Sequence, residues 1–333
     1  LLGVGLYQKP VTFLGSTSTG LRWSHESKDV EVASLSRNVN HSCSVVDGTC
    51  LPDFTGSISK SSWAPRVGVQ YEFSPSARGY ASYARAYRAG GFNFRNTAAD
   101  TVNFGPGPFG DEKVDSWELG IKTEPFGRAR LNFAGFYTKI GNMQREVNLA
   151  DPNAGVVQVI KNTADARLVG FEADFAIPLA DGVVLDGSLG YVDGNYTRVV
   201  FDINGDGVLN DDLALKIPRL APLTANIGLT VEKDLPLLGK ATFRATYAHR
   251  DPAAYTDNNR GMLNAANRVD ASLAFKVLDD RGTITIFGQN LTNNVQIGGD
   301  TQLPATLGGV PLGGTFAPLS KGRTFGIELR ISN

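Results

Sequence analysis

Long segments of this chain alternate between apolar and polar side chains with a period of two. From Val169 to Ile177 the odd-numbered residues are Val, Phe, Ala, Phe and Ile, whereas the even-numbered ones include Glu172 and Asp174. Successive side chains of a β-strand point to opposite faces of its sheet, so this segment has one apolar and one acidic face. The pattern indicates strands that separate two different environments.

The same split recurs along most of the chain. It is found in Trp63–Phe73, Trp117–Ile121, Leu223–Val231, Val269–Val277 and Phe325–Ile331. Many of these segments run for about ten residues or more, whereas strands in soluble sheets usually have five or six. A tilted strand needs about 9–11 residues to cross the hydrocarbon layer of a membrane. The charges on the polar face and the strand lengths therefore favour strands that span a bilayer.

The predicted turns alternate between short and long. Tight turns are expected at Phe73–Gly79, Pro125–Arg128, Pro178–Val183 and Leu278–Gly282. Long loops are expected at residues 90–113, 147–163, 201–221, 251–267 and 295–320. Short turns on one rim and long loops on the other are typical of an outer-membrane barrel. The sequence predicts an all-β protein, an antiparallel up-and-down transmembrane β-barrel.

Composition excludes two other classes of protein. The chain has 333 residues and a formal net charge of -1, without the concentrated basic patch of a nucleic-acid-binding protein. No stretch approaches the roughly 18 consecutive apolar residues of a membrane-spanning helix. A barrel remains compatible with 42% hydrophobic residues, because only every second residue of each strand must face lipid.

The strand count predicts that the sequence is part of a larger barrel. Thirteen strands are expected, near residues 2–9, 14–34, 63–73, 79–89, 114–125, 128–145, 164–177, 183–200, 222–233, 240–250, 268–278, 282–293 and 322–332. Bacterial single-chain barrels have even numbers of strands, and an open edge in lipid leaves unpaired backbone groups at several kcal/mol each. We therefore expect residues 1–333 to be the C-terminal portion of a β-barrel domain.

Several short motifs resemble those of TonB-dependent outer-membrane receptors. They are Ala64–Tyr71 (APRVGVQY), Tyr80–Asn93 (YASYARAYRAGGFN), Asp115–Lys122 (DSWELGIK), Phe136–Ile140 (FYTKI), Gly288–Asn294 (GQNLTNN) and Gly322–Arg330 (GRTFGIELR). They occur in the order expected for that family and extend over nearly the whole chain.

The resemblance implies a barrel of about 22 strands filled by an N-terminal plug domain, of which about 13 strands are present here. It also implies location in the bacterial outer membrane, in contact with its lipid. A TonB-type energy-coupling protein would act through the missing N-terminal part, and external loops would bind a small-molecule ligand. The implied function is active import of a scarce solute, with a ferric siderophore favoured. The alternatives are a passive porin-like channel, or the same transport of an oligosaccharide, a corrinoid or an aromatic compound.

Candidate ligand-binding residues lie in the predicted external loops. They are Arg88, Phe92, Phe94 and Arg95, with Tyr255 and Arg260 behind them. Arginine together with aromatic rings suits an anionic or aromatic ligand such as a ferric chelate. The alternative is that these are loop residues without a ligand.

One predicted loop resembles the first half of a calcium-binding loop. Oxygen-bearing side chains alternate at Asp202, Asn204 and Asp206, and the backbone carbonyl of Val208 would follow. The twelfth position is Leu213 rather than a bidentate glutamate, so Asp211 or Asp212 would have to substitute. A structural Ca²⁺ is therefore a candidate, and an ordinary acidic turn is the alternative. No other cofactor is expected.

The remaining signals are structural. Cys43 and Cys50 are expected to form a disulfide that closes a small loop, with two free thiols as the alternative. Gly90 and Gly91 are expected to break the chain out of the sheet through positive φ, or simply to end a strand. The sequence has no nucleophile elbow, phosphate-binding glycine loop or zinc-type histidine pair, so an enzyme is not predicted.

Overall fold

The computed structural model describes residues 3–4, 15–33, 42–44, 46–94, 105–151, 155–206, 208–236, 239–277, 281–299, 306–307, 309–311 and 317–331. Thirteen strands form one antiparallel sheet whose spatial order is the chain order. They are β1 (Gly3–Val4), β2 (Gly15–Val32), β3 (Phe54–Ser74), β4 (Ala77–Arg88), β5 (Glu112–Thr123), β6 (Arg130–Asp151), β7 (Gly155–Ala180), β8 (Val183–Val199), β9 (Leu223–Leu235), β10 (Gly239–Arg250), β11 (Ala266–Val277), β12 (Gly282–Gln289) and β13 (Thr324–Ile331). The predicted up-and-down topology is confirmed.

The connections between strands differ at the two rims of the sheet. On one rim the connections are short, at residues 75–76, 124–129, 181–182, 236–238 and 278–281. On the other rim the connections at residues 33–53, 89–111, 200–222, 251–265 and 290–323 are long. Two small ladders lie within the last two of them, Ala253–Ala254 with Met262–Leu263 and Thr306–Leu307 with Val310–Pro311. Among the residues given above, no helix is long and apolar enough to cross a membrane.

The strand registers sort the side chains into two faces. One row of directly paired residues crosses five strands as Val67, Tyr83, Trp117, Tyr137 and Val169. Large apolar side chains on this face are exposed, including Leu119 at 68% and Ile327 at 73% of their accessible area. A continuous exposed apolar surface of this kind requires an apolar partner. We call it the apolar face.

Aromatic rings pack against each other across the apolar face. The ring centroids of Tyr83 and Trp117 are 5.2 Å apart, and those of Trp117 and Tyr137 are 5.8 Å apart. Nearer the short turns, the Phe171 ring stacks between Phe133 at 5.9 Å and Tyr191 at 5.7 Å. Such ring pairs each contribute about 0.5–1.5 kcal/mol beyond the burial of area. These contacts fix the register of β4 to β8.

The opposite, polar face satisfies its charges within the sheet. Asn132 donates from Nδ2 to both carboxylate oxygens of Asp174, at 3.1 and 2.8 Å. Arg244 donates to Asp186 at 2.5 and 2.8 Å and to the Thr230 hydroxyl at 2.7 Å. Charged groups placed in lipid are costly, so this face suits a water-filled or protein-filled lumen.

Three strands are longer than predicted. β6 has 22 residues and β7 has 26, so the predicted long loop at residues 147–163 is wrong. Most of that segment is a paired hairpin whose ladder runs from Met143–Ala164 out to Asp151–Gly155. β3 likewise begins at Phe54 rather than near residue 63. These extensions pack against other loops rather than against lipid, so they lack the strict alternation from which the strands were predicted.

Candidate ligand-binding site

The long connections and extended strand ends form one hydrogen-bonded layer at their rim. We define the loop layer as the described residues of 89–111, 142–162, 200–222, 251–265 and 290–323. Asn93 donates from Nδ2 to the Ile160 carbonyl at 3.3 Å and accepts from the Ile160 N–H at 2.7 Å. Gly110 and Asn162 are joined by two similar bonds, at 2.6 and 3.0 Å. The loop after β4 is therefore fastened to the β6–β7 hairpin.

Arg88 is engaged within this layer. Its Nη2 donates to the Glu112 carboxylate at 2.9 Å and to the Gln144 carbonyl at 2.6 Å. The Gln144 amide in turn donates to the carbonyls of Ala89 at 3.1 Å and Gly110 at 2.8 Å. Arg88 was predicted from the sequence to contact a ligand. In the structure its guanidinium is instead hydrogen-bonded to Glu112 and Gln144 of the protein itself. Its side chain is still 56% exposed.

The other members of the first predicted cluster are separated. Phe92 is only 7% exposed and packs with Val30, Val32 and the edge of Phe54. Its ring therefore stabilises the loop from within. Phe94 is 71% exposed and is available to a ligand. Arg95 lies outside the described residues.

Gly90 and Gly91, which follow β4, are required for close packing rather than for the predicted positive φ. Neither Gly90 nor Gly91 has a positive φ, so that expectation is wrong. A Cβ at Gly90 would overlap the carbonyl oxygen of Phe109. Gly91 exchanges two backbone hydrogen bonds with Phe109, at 3.0 and 2.9 Å. The pair allows two chain segments of the loop layer to approach closely. In the motif at residues 288–294, the Asn290 side chain donates to the Asn294 carbonyl at 3.1 Å and accepts from the Asn294 N–H at 2.9 Å.

Tyr255 has an arginine partner that the sequence did not reveal. The Arg219 guanidinium lies 4.8 Å from the centroid of the Tyr255 ring, and its Nη2 donates to the hydroxyl at 3.2 Å. Arg219 has a φ of 63° and follows Pro218. The proline indicates a turn, and this is the sequence signal from which Arg219 could have been selected as a candidate. Its N–H donates to the Ala254 carbonyl at 2.6 Å, which joins the β8–β9 and β10–β11 loops. Arg219 and Arg260 are both exposed.

A partly buried ion pair connects the β10–β11 loop to the β6–β7 hairpin. Arg145 Nε lies 2.7 Å from Asp257 Oδ1, and the side chains are 23% and 14% exposed. Burial raises the pKa of Asp257, and the Arg145 charge opposes that rise. Beneath the pair lies an apolar cluster that includes Met143, Ile203 and Ile217. The loop layer therefore has its own small core.

The predicted calcium loop is organised mainly by its own backbone. Asp202 Oδ1 accepts from the N–H groups of Gly205 at 2.7 Å and Asp206 at 3.3 Å. Asn204 Oδ1 accepts from the Asp206 N–H and Asp206 Oδ1 from the Val208 N–H, each at 2.8 Å. Asp212 points inward, fully buried, and accepts from the Ile203 N–H at 2.6 Å. The six predicted ligands are close in sequence, but their oxygens are directed to several different partners.

The acidic groups of this loop influence each other's protonation. A backbone hydrogen bond from Val208 lowers the pKa of Asp206, and desolvation together with the Asp206 charge raises the pKa of Asp211. Burial raises the pKa of Asp212. Either a proton or a cation could neutralise such a group. Within the described part of the chain, however, no three His, Cys, Asp or Glu side chains are arranged to hold a metal ion. Calcium binding therefore remains a prediction.

Titration with calcium tests that prediction. If the loop binds Ca²⁺, isothermal titration of the folded receptor will give heat that disappears in Asp206→Ala. Asp47→Ala removes an acidic loop residue elsewhere and serves as the matched control. Absence of heat in the parent protein would leave 202–212 as an acidic turn.

The two cysteines form a disulfide in the structure. Cys43 and Cys50 have Cα atoms 4.7 Å apart, within the usual range for such a bond. The enclosed segment is also held by the Thr49 N–H, which donates to the Ser44 carbonyl at 2.9 Å. The bond closes a small loop before β3.

Comparison with known proteins identifies the family. The profile described as "TonB dependent receptor-like, beta-barrel" matches residues 14–291. The metal-pseudopaline receptor CntO of Pseudomonas aeruginosa strain PAO1 is 28% identical over 149 residues, which cover 44% of this chain and 19% of that protein. The ferric yersiniabactin uptake receptor FyuA of Yersinia pestis superposes with a TM-score of 0.71 at 20% identity. The siderophore receptor PiuA of Acinetobacter baumannii superposes with a TM-score of 0.66 at 16% identity.

The fold is that of an outer-membrane receptor barrel. The chain belongs to the TonB-dependent receptor family, in its β-barrel part. Proteins of this family lie in the outer membrane of Gram-negative bacteria and are receptors and transporters rather than enzymes. They bind small-molecule ligands and interact with TonB. The apolar face is therefore the lipid face, and the loop layer is extracellular.

The chain spans less than half the length of the solved structures that it matches. The superposition covers 95% of this chain but 43% of FyuA and 40% of PiuA. At these identities the likeness establishes the fold alone.

Proposed function

We propose that the full-length protein imports a scarce metal chelate, with a ferric siderophore first among the candidates, by TonB-energised active transport. The chain would supply the C-terminal portion of a barrel of about 22 strands, a size at which the lumen is filled by a plug. The plug would lie against the polar face described above.

The observation that carries this proposal is the contact between the exposed Arg219 guanidinium and the half-buried Tyr255 ring. A guanidinium beside an aromatic ring offers both a charge-assisted donor and a stacking surface. Arg260 and Phe94 present further exposed groups of the same two kinds in the loop layer. Siderophore complexes combine anionic oxygens with aromatic or apolar groups, so this surface suits them. The names of CntO, FyuA and PiuA, all receptors for metal chelates or siderophores, support the same class of ligand.

Uptake of labelled ferric chelates tests the proposal. Cells carrying the intact gene should accumulate the label only while the inner-membrane energy source is present. Arg219→Ala with Tyr255→Ala should weaken chelate binding about tenfold or more, as expected when a charge-assisted contact is lost. Arg128→Ala, exposed on the opposite rim, is the matched control and should bind normally.

Other results would change the proposal in defined ways. Uptake that continues without energy would make the protein a passive porin-like channel. Energy-dependent uptake of an oligosaccharide, a corrinoid or an aromatic compound would retain the transport mechanism and discard the ferric substrate.

A further inference from the structure

A row of charged residues crosses the lipid face on the loop side of its aromatic rings. Arg85 pairs directly with Asp115, Asp115 with Lys139, and Lys139 with Arg167. These residues follow the Tyr83, Trp117 and Tyr137 row by two positions along each strand. That step is roughly 6–7 Å along the strand axis. The lipid face therefore changes abruptly from aromatic to charged at its extracellular end.

Neighbouring residues extend this row into a wider patch. We define the outer charged belt as Arg85, Lys113, Asp115, Lys139, Asp165, Arg167, Asp193 and Arg198. It contains five basic and three acidic residues, so its formal charge is positive although that of the whole chain is -1. Charges on the lipid face are tolerated near the interface and costly at the midplane. The belt thus lies at the level of the outer-leaflet headgroups.

The carboxylates of the belt hold its arginines in place. Arg85 bonds Asp115 through two nitrogens, at 2.7 and 3.0 Å, while the Tyr83 hydroxyl donates to the same carboxylate at 2.6 Å. Arg198 Nε donates to Asp165 at 2.7 Å. The two arginines remain accessible, with the Arg85 and Arg198 side chains 42% and 55% exposed. Anchored guanidinium groups keep donors directed outward.

Lys139 and Arg167 make looser contacts with the acidic residues of the belt than Arg85 and Arg198 do. Lys139 Nζ lies 5.7 Å from the centroid of the Tyr137 ring, at the boundary between the aromatic row and the belt. Arg167 lies 3.9 Å from Asp193, a carboxylate that also accepts from Asn195 at 2.9 Å. These two adjacent cations are therefore well placed to bind an anionic group from the lipid.

An apolar groove lies below the belt on the same strands. Gly79 and Ala81 of β4 leave a depression bordered by Tyr71, Leu119 and Phe133, with a volume of about 700 Å³. The groove begins one row below Tyr83, and Gly79 lies six positions before Arg85 on the same strand. This separation corresponds to roughly 20 Å of strand. A cationic belt above an apolar groove matches a lipid with an anionic headgroup and acyl chains.

We propose that the outer charged belt binds the phosphorylated headgroup of an outer-leaflet lipid, whose acyl chain lies in the groove below. Phosphate oxygens accept charge-assisted hydrogen bonds from arginine and lysine, and arginine can bind them through two nitrogens. The lipid would hold β4 to β8 at a fixed depth in the membrane. This proposal does not depend on the transported solute.

Binding of a diphosphorylated glycolipid, lipid A, to the full-length receptor in detergent micelles tests the proposal. The double variant Lys139→Gln, Arg167→Gln should raise the dissociation constant about 25-fold. Each basic charge near an anionic headgroup contributes about fivefold, and the two contributions multiply. Lys122→Gln with Arg330→Gln removes two charges from the polar face and should leave the constant unchanged. Lipid A stripped of its phosphates should bind the parent and both variants equally weakly.

Two controls separate binding from folding. Circular dichroism and gel migration without heating should show that each variant is a folded barrel. Lys139→Arg with Arg167→Lys keeps both charges and should restore binding to within a few-fold of the parent. Equal affinity of the parent and the Lys139→Gln, Arg167→Gln variant would overturn the proposal, as would equal weakening by the polar-face variant or equal binding of dephosphorylated lipid.

Discussion

Phe171→Arg should lower the unfolding free energy of the receptor in a bilayer by about 2–4 kcal/mol. Phe171 lies one row deeper in the membrane than Val169, and its ring stacks on both Phe133 and Tyr191. The figure is the free energy of placing an arginine near the midplane of the hydrocarbon. Denaturant titration of the full-length receptor in lipid vesicles measures it.

The neighbouring residue supplies the matched control. Glu172 belongs to the polar face, where its direct partners are Ala134 and Gly190. Glu172→Arg should therefore cost much less than Phe171→Arg, and Phe171→Leu, which remains apolar, should also cost less. Equal costs for the two arginine variants would show that the faces are assigned incorrectly.

Arg145→Met should release the β10–β11 loop from the β6–β7 hairpin. The variant leaves Asp257 without its partly buried ion-pair partner, and breaking a buried pair by removing one member costs about 3–5 kcal/mol. The loss should appear as a lower opening free energy for the amides of residues 253–262 in hydrogen exchange of the full-length receptor. Arg145→Met with Asp257→Leu should recover most of it, because an apolar replacement removes both charges.

An exposed pair provides the comparison for this result. Arg198 and Asp165 have the same contact distance of 2.7 Å, but the arginine is 55% exposed. Arg198→Met should therefore change the opening free energy of the amides of residues 253–262 by less than about 1 kcal/mol. Unchanged protection in Arg145→Met would mean that the apolar cluster alone holds the loop layer together.

The membrane part of the fold was predictable because lipid and lumen impose opposite polarity on successive residues. Phe171 and Glu172 could be assigned to faces without coordinates, and the short turns followed from the same pattern. The hairpin in which Val147 pairs with Val159 was missed because both residues are 1% exposed within the loop layer, where lipid no longer dictates the alternation. Periodicity alone does not reveal such a segment.

The candidate site was less predictable than the fold. Arginines and aromatics were recognised as residue types, but sequence cannot show that Phe92 is buried or that Arg88 binds Glu112. The pairing of Arg219 with Tyr255 joins loops that are 36 residues apart. Such a contact depends on how separate loops pack, which local propensity does not encode.

The length of the β6–β7 hairpin determines how far the loop layer rises above the bilayer. β7 has 26 residues, of which about ten are needed to cross the hydrocarbon, leaving roughly 50 Å of strand outside it. Register shifts at Ile140/Met143 and Asp165/Ala166 lie where this arm leaves the barrel. The bulges therefore set the direction of the hairpin, and its length sets the height of the loop layer above the membrane. Removing two residues from each strand beyond the bulges would lower that height by several ångströms while keeping every side chain on its present face.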